Sequence, residues 1–229
     1  MTQEQLAHQL EQTALDPRLT APQVHALVAG AMEYGLASIC VTPVWVARVA
    51  TMLRGGGNVS LCTTVGFPHG THKATIKAIE ATSSIKDGSS EIAVVPHLPN
   101  LIKPDPGAAR SELMEIVRAA RATRRDVVVR VFIESATLMQ KGSEATIESA
   151  CRAVRESGCD AIVTSTGYDP AGGATVEAIR LLRKHGEGLL IHAYGAIEDA
   201  GSAIELIRAG ADRVLSDAAI EMLESDAQV

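Results

Sequence analysis

The residues of this chain that can do chemistry gather at the ends of short apolar runs. Ile191-His192-Ala193-Tyr194-Gly195 sets an imidazole and a phenol two residues apart, so in an extended strand both point to one side. His192 is then a general acid or base near neutral pH, and Tyr194 orients it or polarises a carbonyl. The alternative is a core histidine bonded to a neighbour, with a tyrosine that packs the rim. Arg130 and Glu134 share parity on another run; they face each other as a structural ion pair, or Glu134 serves as a catalytic acid. Thr64, Ser165 and Thr166 offer hydroxyls to a substrate oxygen, Cys40 offers a thiol, and Ser216-Asp217 ends the last apolar run. Asp217 reads equally well as the N-cap of a final helix. His97 stands between Pro96 and Leu98-Pro99 on a loop. With His192 and Glu134 it offers no local ligand pair of the His-x-x-x-His kind, so no metal is expected.

The elements that must hold these groups follow from a recurring pattern. A helix-like stretch ends at a glycine, one or two small or acidic residues follow, and then an apolar run begins; this occurs at Gly35, Gly88, Gly158 and Gly210. Glycine ends a helix in the left-handed conformation without a Cβ penalty, and the runs that follow have strand length. Eight strands are expected near Thr13–Leu15, Ser38–Thr42, Ser60–Val65, Glu91–Pro96, Asp126–Ile133, Ala161–Ser165, Gly188–Ala193 and Arg213–Ser216. Helical periodicity fills the gaps, as in Ser111–Thr123, Glu144–Glu156 and Thr175–His185. Alternating strands and helices require a parallel sheet covered on both faces, and eight such units predict a single-domain (β/α)8 TIM barrel over residues 1–229. A doubly wound sheet is the alternative, but no GxGxxG follows the first strand. In such a barrel, function sits where strands end, which is where the groups above fall. The pair Gly172-Gly173 is expected to bend the loop after strand six rather than cradle an anion.

Composition narrows the partners. A net charge of −6 with no basic run argues against a nucleic-acid partner, and Arg118 to Arg125 reads as a solvated helix face. No apolar run is long enough to span a bilayer, and the first residues are polar and acidic, so no membrane partner and a cytoplasmic location are expected. The four cysteines show no CxxC pairing and read as buried free thiols. A homodimer is expected from the prevalence of two-fold assemblies.

Several motifs resemble the deoxyribose-phosphate aldolase family along most of the chain. Ile39-Cys40-Val41-Thr42-Pro43 is similar to its second strand, and Thr64-Val65-Gly66-Phe67-Pro68-His69-Gly70 with Lys77-Ala78-Ile79-Glu80-Ala81 to its third strand and next helix. Glu134 matches the glutamate ending strand five, and Thr164-Ser165-Thr166-Gly167 the signature after strand six. The resemblance implies a class I aldolase barrel. It also implies a Schiff-base lysine just before that signature, a second lysine on strand seven and an acidic residue on strand four. This chain has Val163, His192 and Ala93 at those places. Its six lysines, Lys73, Lys77, Lys86, Lys103, Lys141 and Lys184, all fall in expected helices or loops. The family further holds phosphate on glycine-rich backbone after strand seven and a serine turn after strand eight. Here Glu198 and Asp217 would repel a phosphate dianion.

The expectation is therefore a divergent member of this family that works without a Schiff base or any cofactor. It would perform acid–base chemistry (dehydration, cyclisation, isomerisation or an imine-free aldol step) on a small, unphosphorylated carbonyl substrate. His192, Tyr194 and Glu134 would be catalytic, and Cys40, Thr64, His97, Arg130, Thr166, Ser216 and Asp217 would bind substrate. Two alternatives stay open: an aldolase with a relocated lysine such as Lys103, and a non-catalytic pseudoenzyme that binds a ligand or a partner.

Overall fold

Gly35, Gly88, Gly158 and Gly210 hold φ values of 66°, 120°, 77° and 118°, the left-handed region that ends a helix at no steric cost to glycine. A strand begins three residues after each of them. In the computed structural model, which describes residues 1–103 and 105–226, eight strands close into a barrel in chain order. They are β1 (Leu10–Ala14), β2 (Ser38–Val41), β3 (Ser60–Val65), β4 (Glu91–Val94), β5 (Val128–Phe132), β6 (Ala161–Val163), β7 (Leu190–Tyr194) and β8 (Arg213–Ser216). Every neighbouring pair is parallel, and β8 returns to β1. Helices fill the connections, giving the expected (β/α)8 barrel. None of the helices among the described residues is long and apolar enough to cross a membrane.

The first strand begins at Leu10, not Thr13, and the reason is instructive. Glu11 and Gln12 are fully buried, so a polar pair hid the strand from a reading based on apolar runs. Along each strand, alternate residues divide between two apolar clusters, as the pleat requires. Ile39, Val41, Ile92, Val94, Val129, Val131, Ile162, Ile191 and Val214 pack outward against the helices. Cys40, Cys62, Ala93, Phe132, Val163, Tyr194 and Leu215 fill the lumen.

Charge occupies the lumen's floor. Arg130 Nη1 donates to Glu11 Oε2 at 2.6 Å, and Arg130 Nη2 makes a very short contact to Glu91 Oε2. Arg213 Nη1 lies 3.3 Å from Glu11 Oε2 and 3.2 Å from Glu91 Oε2, and the Ser38 hydroxyl donates to Glu11. Two guanidiniums thus neutralise two carboxylates across β1, β4, β5 and β8. Burial pushes the Glu91 carboxyl up, but Arg130 and Arg213 outweigh it and hold it below the ordinary carboxylate value. The expected Arg130–Glu134 pairing does not occur. Glu134 lies beyond β5 with φ at 53°, so the strand's parity no longer applies to it, and Arg130 is committed to Glu11 and Glu91.

His192 sits above this floor on β7, 2% exposed, with Nδ1 buried and without a hydrogen-bond partner. Burial, with Arg130 and Arg213 nearby, drives its pKa well below 6.5, so the imidazole is neutral.

Two outcomes follow from this lumen. Arg130→Met leaves two buried carboxylates short of a partner and should destabilise the fold by about 3–5 kcal/mol in urea unfolding. The second concerns pH. Because the folded His192 takes up a proton only well below 6.5, the unfolded chain binds more protons once pH falls beneath that value. Its contribution to stability is whole above pH 6.5 and lost on acidification, by up to about 1.4 kcal/mol per pH unit. The unfolding free energy should therefore fall more steeply between pH 7 and 5.5 in the wild type than in His192→Gln.

Candidate active site

The loops that follow β6, β7, β8 and β1 enclose a pocket of about 750 Å³ at the C-terminal mouth of the barrel. Its wall is built by side chains that bind one loop to the next. After β6, Glu134 organises the Thr-Ser-Thr-Gly turn: Thr166 N–H donates to Oε1 at 2.9 Å and the Ser165 hydroxyl to Oε2 at 3.1 Å. Burial pushes the Glu134 carboxyl up, against those hydrogen bonds. Thr164 ties β6 to β7 by donating to Tyr194 O at 3.0 Å and accepting from Tyr194 N–H at 2.9 Å.

The loops after β6 and β7 meet backbone to backbone. A Cβ on Gly173 would lie 2.1 Å from Gly195 O, so only glycine permits that approach. The Gly172-Gly173 pair therefore does more than bend its loop. Ser216, 3% exposed, clamps the next junction by donating to Ile197 O at 2.5 Å and accepting from Ala218 N–H at 3.0 Å.

One acid–base pair faces this pocket. Tyr194 Oη donates to Asp217 Oδ1 at 3.4 Å, and the same carboxylate oxygen accepts a short bond from the Thr13 hydroxyl. Burial, then the nearby Asp217 charge, raises the Tyr194 phenol far above its ordinary value, so it is a hydrogen-bond donor at neutral pH. In the first turn of the last helix, Ile220 N–H donates to Gln12 Oε1 on β1 at 3.2 Å. Asp16, Arg18, Thr166, Tyr168 and Glu198 complete the polar lining. Arg18 is bound to Asp16 at 2.6 Å, which with its hydrogen bonds lowers the Asp16 carboxyl to about 2.

The barrel axis is closed by rings. Phe67 and Phe132 lie 5.7 Å apart, Phe67 and Tyr168 meet edge to face at 5.4 Å, and Phe132 and Tyr194 are 6.4 Å apart. Four of the chain's six aromatic side chains thus form a chain across the mouth. Val163 and Ala93 belong to the same lumen cluster, each fully buried.

Of the residues expected from the sequence, Tyr194, Thr166, Ser216 and Asp217 line the mouth pocket. The others stand elsewhere. His192, Cys40 and Thr64 are buried in the barrel at 2%, 1% and 2% exposure, Arg130 is in the floor, and Glu134 stands behind Thr166. His97 is exposed and borders a separate groove with His72 and Asn100. Asp16, Arg18 and Tyr168 were missed as lining residues, whereas Glu198 was expected at this mouth only as a charge that repels phosphate. The first two follow β1, whose end was expected within one residue of where it lies, and the available signal was the polar Asp16-Pro17-Arg18 turn right after an apolar pair.

No lysine lies on a strand or lines this pocket among the described residues. Lys77 is fully buried, but it is clamped outside the barrel by Gly70 O at 2.6 Å and Glu112 at 2.5 Å. Lys103 is exposed, 3.4 Å from Asn100 Oδ1.

No family model matches the chain. It is 39% identical over 214 residues to the deoxyribose-phosphate aldolase of Mycobacterium tuberculosis, covering 93% of this chain and 92% of that one. It is 34% identical over 223 residues to that of Thermoanaerobacter sp., covering 96% of each. Among solved structures, the tetrameric deoxyribose phosphate aldolase of Aeropyrum pernix superposes with a TM-score of 0.89 at 29% identity, over 99% of this chain and 92% of that chain. Identity of this extent, on a barrel of the same form, means that the chain belongs to the deoxyribose-phosphate aldolase family.

Proposed function

We propose that this family member is a lyase-type acid–base catalyst that works without an imine, on a small carbonyl substrate that carries no phosphate. The observation that carries this reading is the Tyr194–Asp217 pair, 3.4 Å apart at the pocket wall, in a pocket whose lining holds no lysine. Imine chemistry needs a lysine amine held neutral in a desolvated site that substrate can reach. Val163 stands where the family resemblance would put it, and Lys77 is buried against Glu112, away from the mouth.

The chemistry suited to the pair is proton transfer beside a carbonyl. Asp217 takes the proton from the carbon next to the carbonyl, or, in a retro-aldol step, from a β-hydroxyl, whereupon the bond between the α- and β-carbons breaks and the β-carbon leaves as a carbonyl product. The electron pair of the broken bond moves to the carbonyl oxygen, and the Tyr194 phenol, turning its one hydrogen from Asp217, donates a hydrogen bond to that oxygen as charge develops. Thr166 stands in the same lining and offers a second hydroxyl. Glu134 is a positioning residue that holds the Thr166 turn. Dehydration, cyclisation, isomerisation and an imine-free aldol step all pass through such an enolate.

Charge argues for a substrate without phosphate. Asp16 and Arg18 pair with each other, which leaves Glu198 and Asp217 facing the pocket, so a dianion would meet like charge. A binding-only reading draws on the aromatic chain that fills the barrel axis, and one experiment separates it from catalysis. Acetaldehyde, glyceraldehyde and dihydroxyacetone are incubated in heavy water, and deuterium uptake next to the carbonyl is followed by NMR. The expected result is uptake above the buffer rate that falls about 10²–10⁴-fold in both Asp217→Asn and Tyr194→Phe. Uptake unchanged in both variants would overturn the assignment, and no uptake with any of the three would favour the binding-only reading.

A further inference from the structure

We infer that the lumen holds a thiophilic divalent metal ion, of the zinc class, between Glu11, Cys40 and Cys62. The register of the barrel brings these residues together. Cys40 of β2 is the direct partner of Cys62 on β3, and Glu11 lies on β1 opposite Ser38, two residues before Cys40 on β2, so its long side chain spans the step along the strand. A Glu11 carboxylate oxygen and the two Sγ atoms all lie within 4.8 Å of one another. The three side chains are 0%, 1% and 0% exposed.

Glu11 supplies the second observation. Its Oε2 takes Arg130, Arg213 and Ser38, while its Oε1 is buried with no hydrogen-bond partner at all. A bare carboxylate oxygen in a closed interior is costly, and two thiols beside it make a poor answer because S–H is a weak donor. A cation bound by both sulfurs and this oxygen answers the need directly.

The donor set suits the ion. Thiolate sulfur selects soft or borderline metals, a carboxylate can serve as the third protein ligand of zinc, and a water would take the fourth position. Bond lengths of about 2.3 Å to sulfur and about 2.1 Å to oxygen put tetrahedral ligand atoms about 3.5–3.8 Å apart. Closing the present set to that size takes movements of about 1 Å at most, within the range of side-chain torsions. The charges balance: the 2+ ion replaces two thiol protons, which leave to solvent, and the ion with two thiolates adds no net charge. Glu11 and Glu91 remain matched by Arg130 and Arg213. Each ligand comes from a different strand, so no spacing motif in the sequence announces the site. The ion would fasten β1, β2 and β3 directly above the floor's ion cluster, which fastens β1, β4, β5 and β8.

The test uses the full chain, refolded with one equivalent of Co²⁺ under a phosphine reductant and read by thiolate-to-cobalt charge-transfer absorption. Zn²⁺ stoichiometry is read in parallel by native mass spectrometry. The expected result is one ion per chain, with affinity lowered at least tenfold in Cys40→Ala and in Cys62→Ala. Cys151→Ala, in the outer core, should bind as the wild type does. If either alanine variant fails to fold, the serine variant at that position replaces it. A wild-type chain with no thiolate–cobalt band, or a band that survives loss of both lumen thiols, would overturn the proposal.

Discussion

The barrel depends on the neutralisation of Glu11 and Glu91 by Arg130 and Arg213 in its floor. Four charges sit where neighbouring strands converge and water is excluded. Each carboxylate is tolerable there only because guanidiniums meet it. The cluster joins four of the eight strands, including the two that close the ring. It also sets the field above it: the same two cations, added to burial, keep His192 neutral. The inside of this barrel is therefore a stack, with ions below, thiols and small apolar side chains in the middle, and rings above.

That stack determines where chemistry can happen. Phe67, Phe132 and Tyr194 close the axis, and Val163 and Ala93 are small and apolar beneath them. What stays open is the side of the mouth under the loops after β6, β7, β8 and β1. The loops there hold their form through buried bonds: Glu134 on the Thr166 turn, Gly173 against Gly195, and Ser216 on Ile197. The edge of the ring stack, the Tyr194 phenol, reaches this space with Asp217 as its partner. A change of lumen contents thus goes together with a change in which groups can meet a substrate.

Much of the fold was legible because it repeats. Four helix-ending glycines at a constant distance from four strands gave the unit, and aliphatic runs gave most strand positions to within a few residues. The misplaced strand start has one cause, that buried polar residues look like surface. Glu11 and Gln12 disguised the start of β1, and the charged Asp16 and Arg18 after its end read as an ordinary surface turn. Parity along β5 correctly turned Arg130 inward, but Glu134 lies past the strand with a left-handed backbone, where parity carries no information. For the site, parity put His192 and Tyr194 on one face of β7. It could not reveal that two residues of depth divide a buried imidazole from a phenol at the pocket wall. The partners of Asp217, from β1 and β7, are far apart in the chain and needed the closed ring to be seen.

The account rests on the absence of a reactive lysine, and one measurement reaches it most directly. The protein is incubated separately with 2-deoxyribose 5-phosphate and with acetaldehyde, borohydride is added, and the intact mass is read. The account predicts an unchanged mass in both incubations. A reduced adduct mapped to any of the six lysines would contradict it and restore imine catalysis to this member of the family.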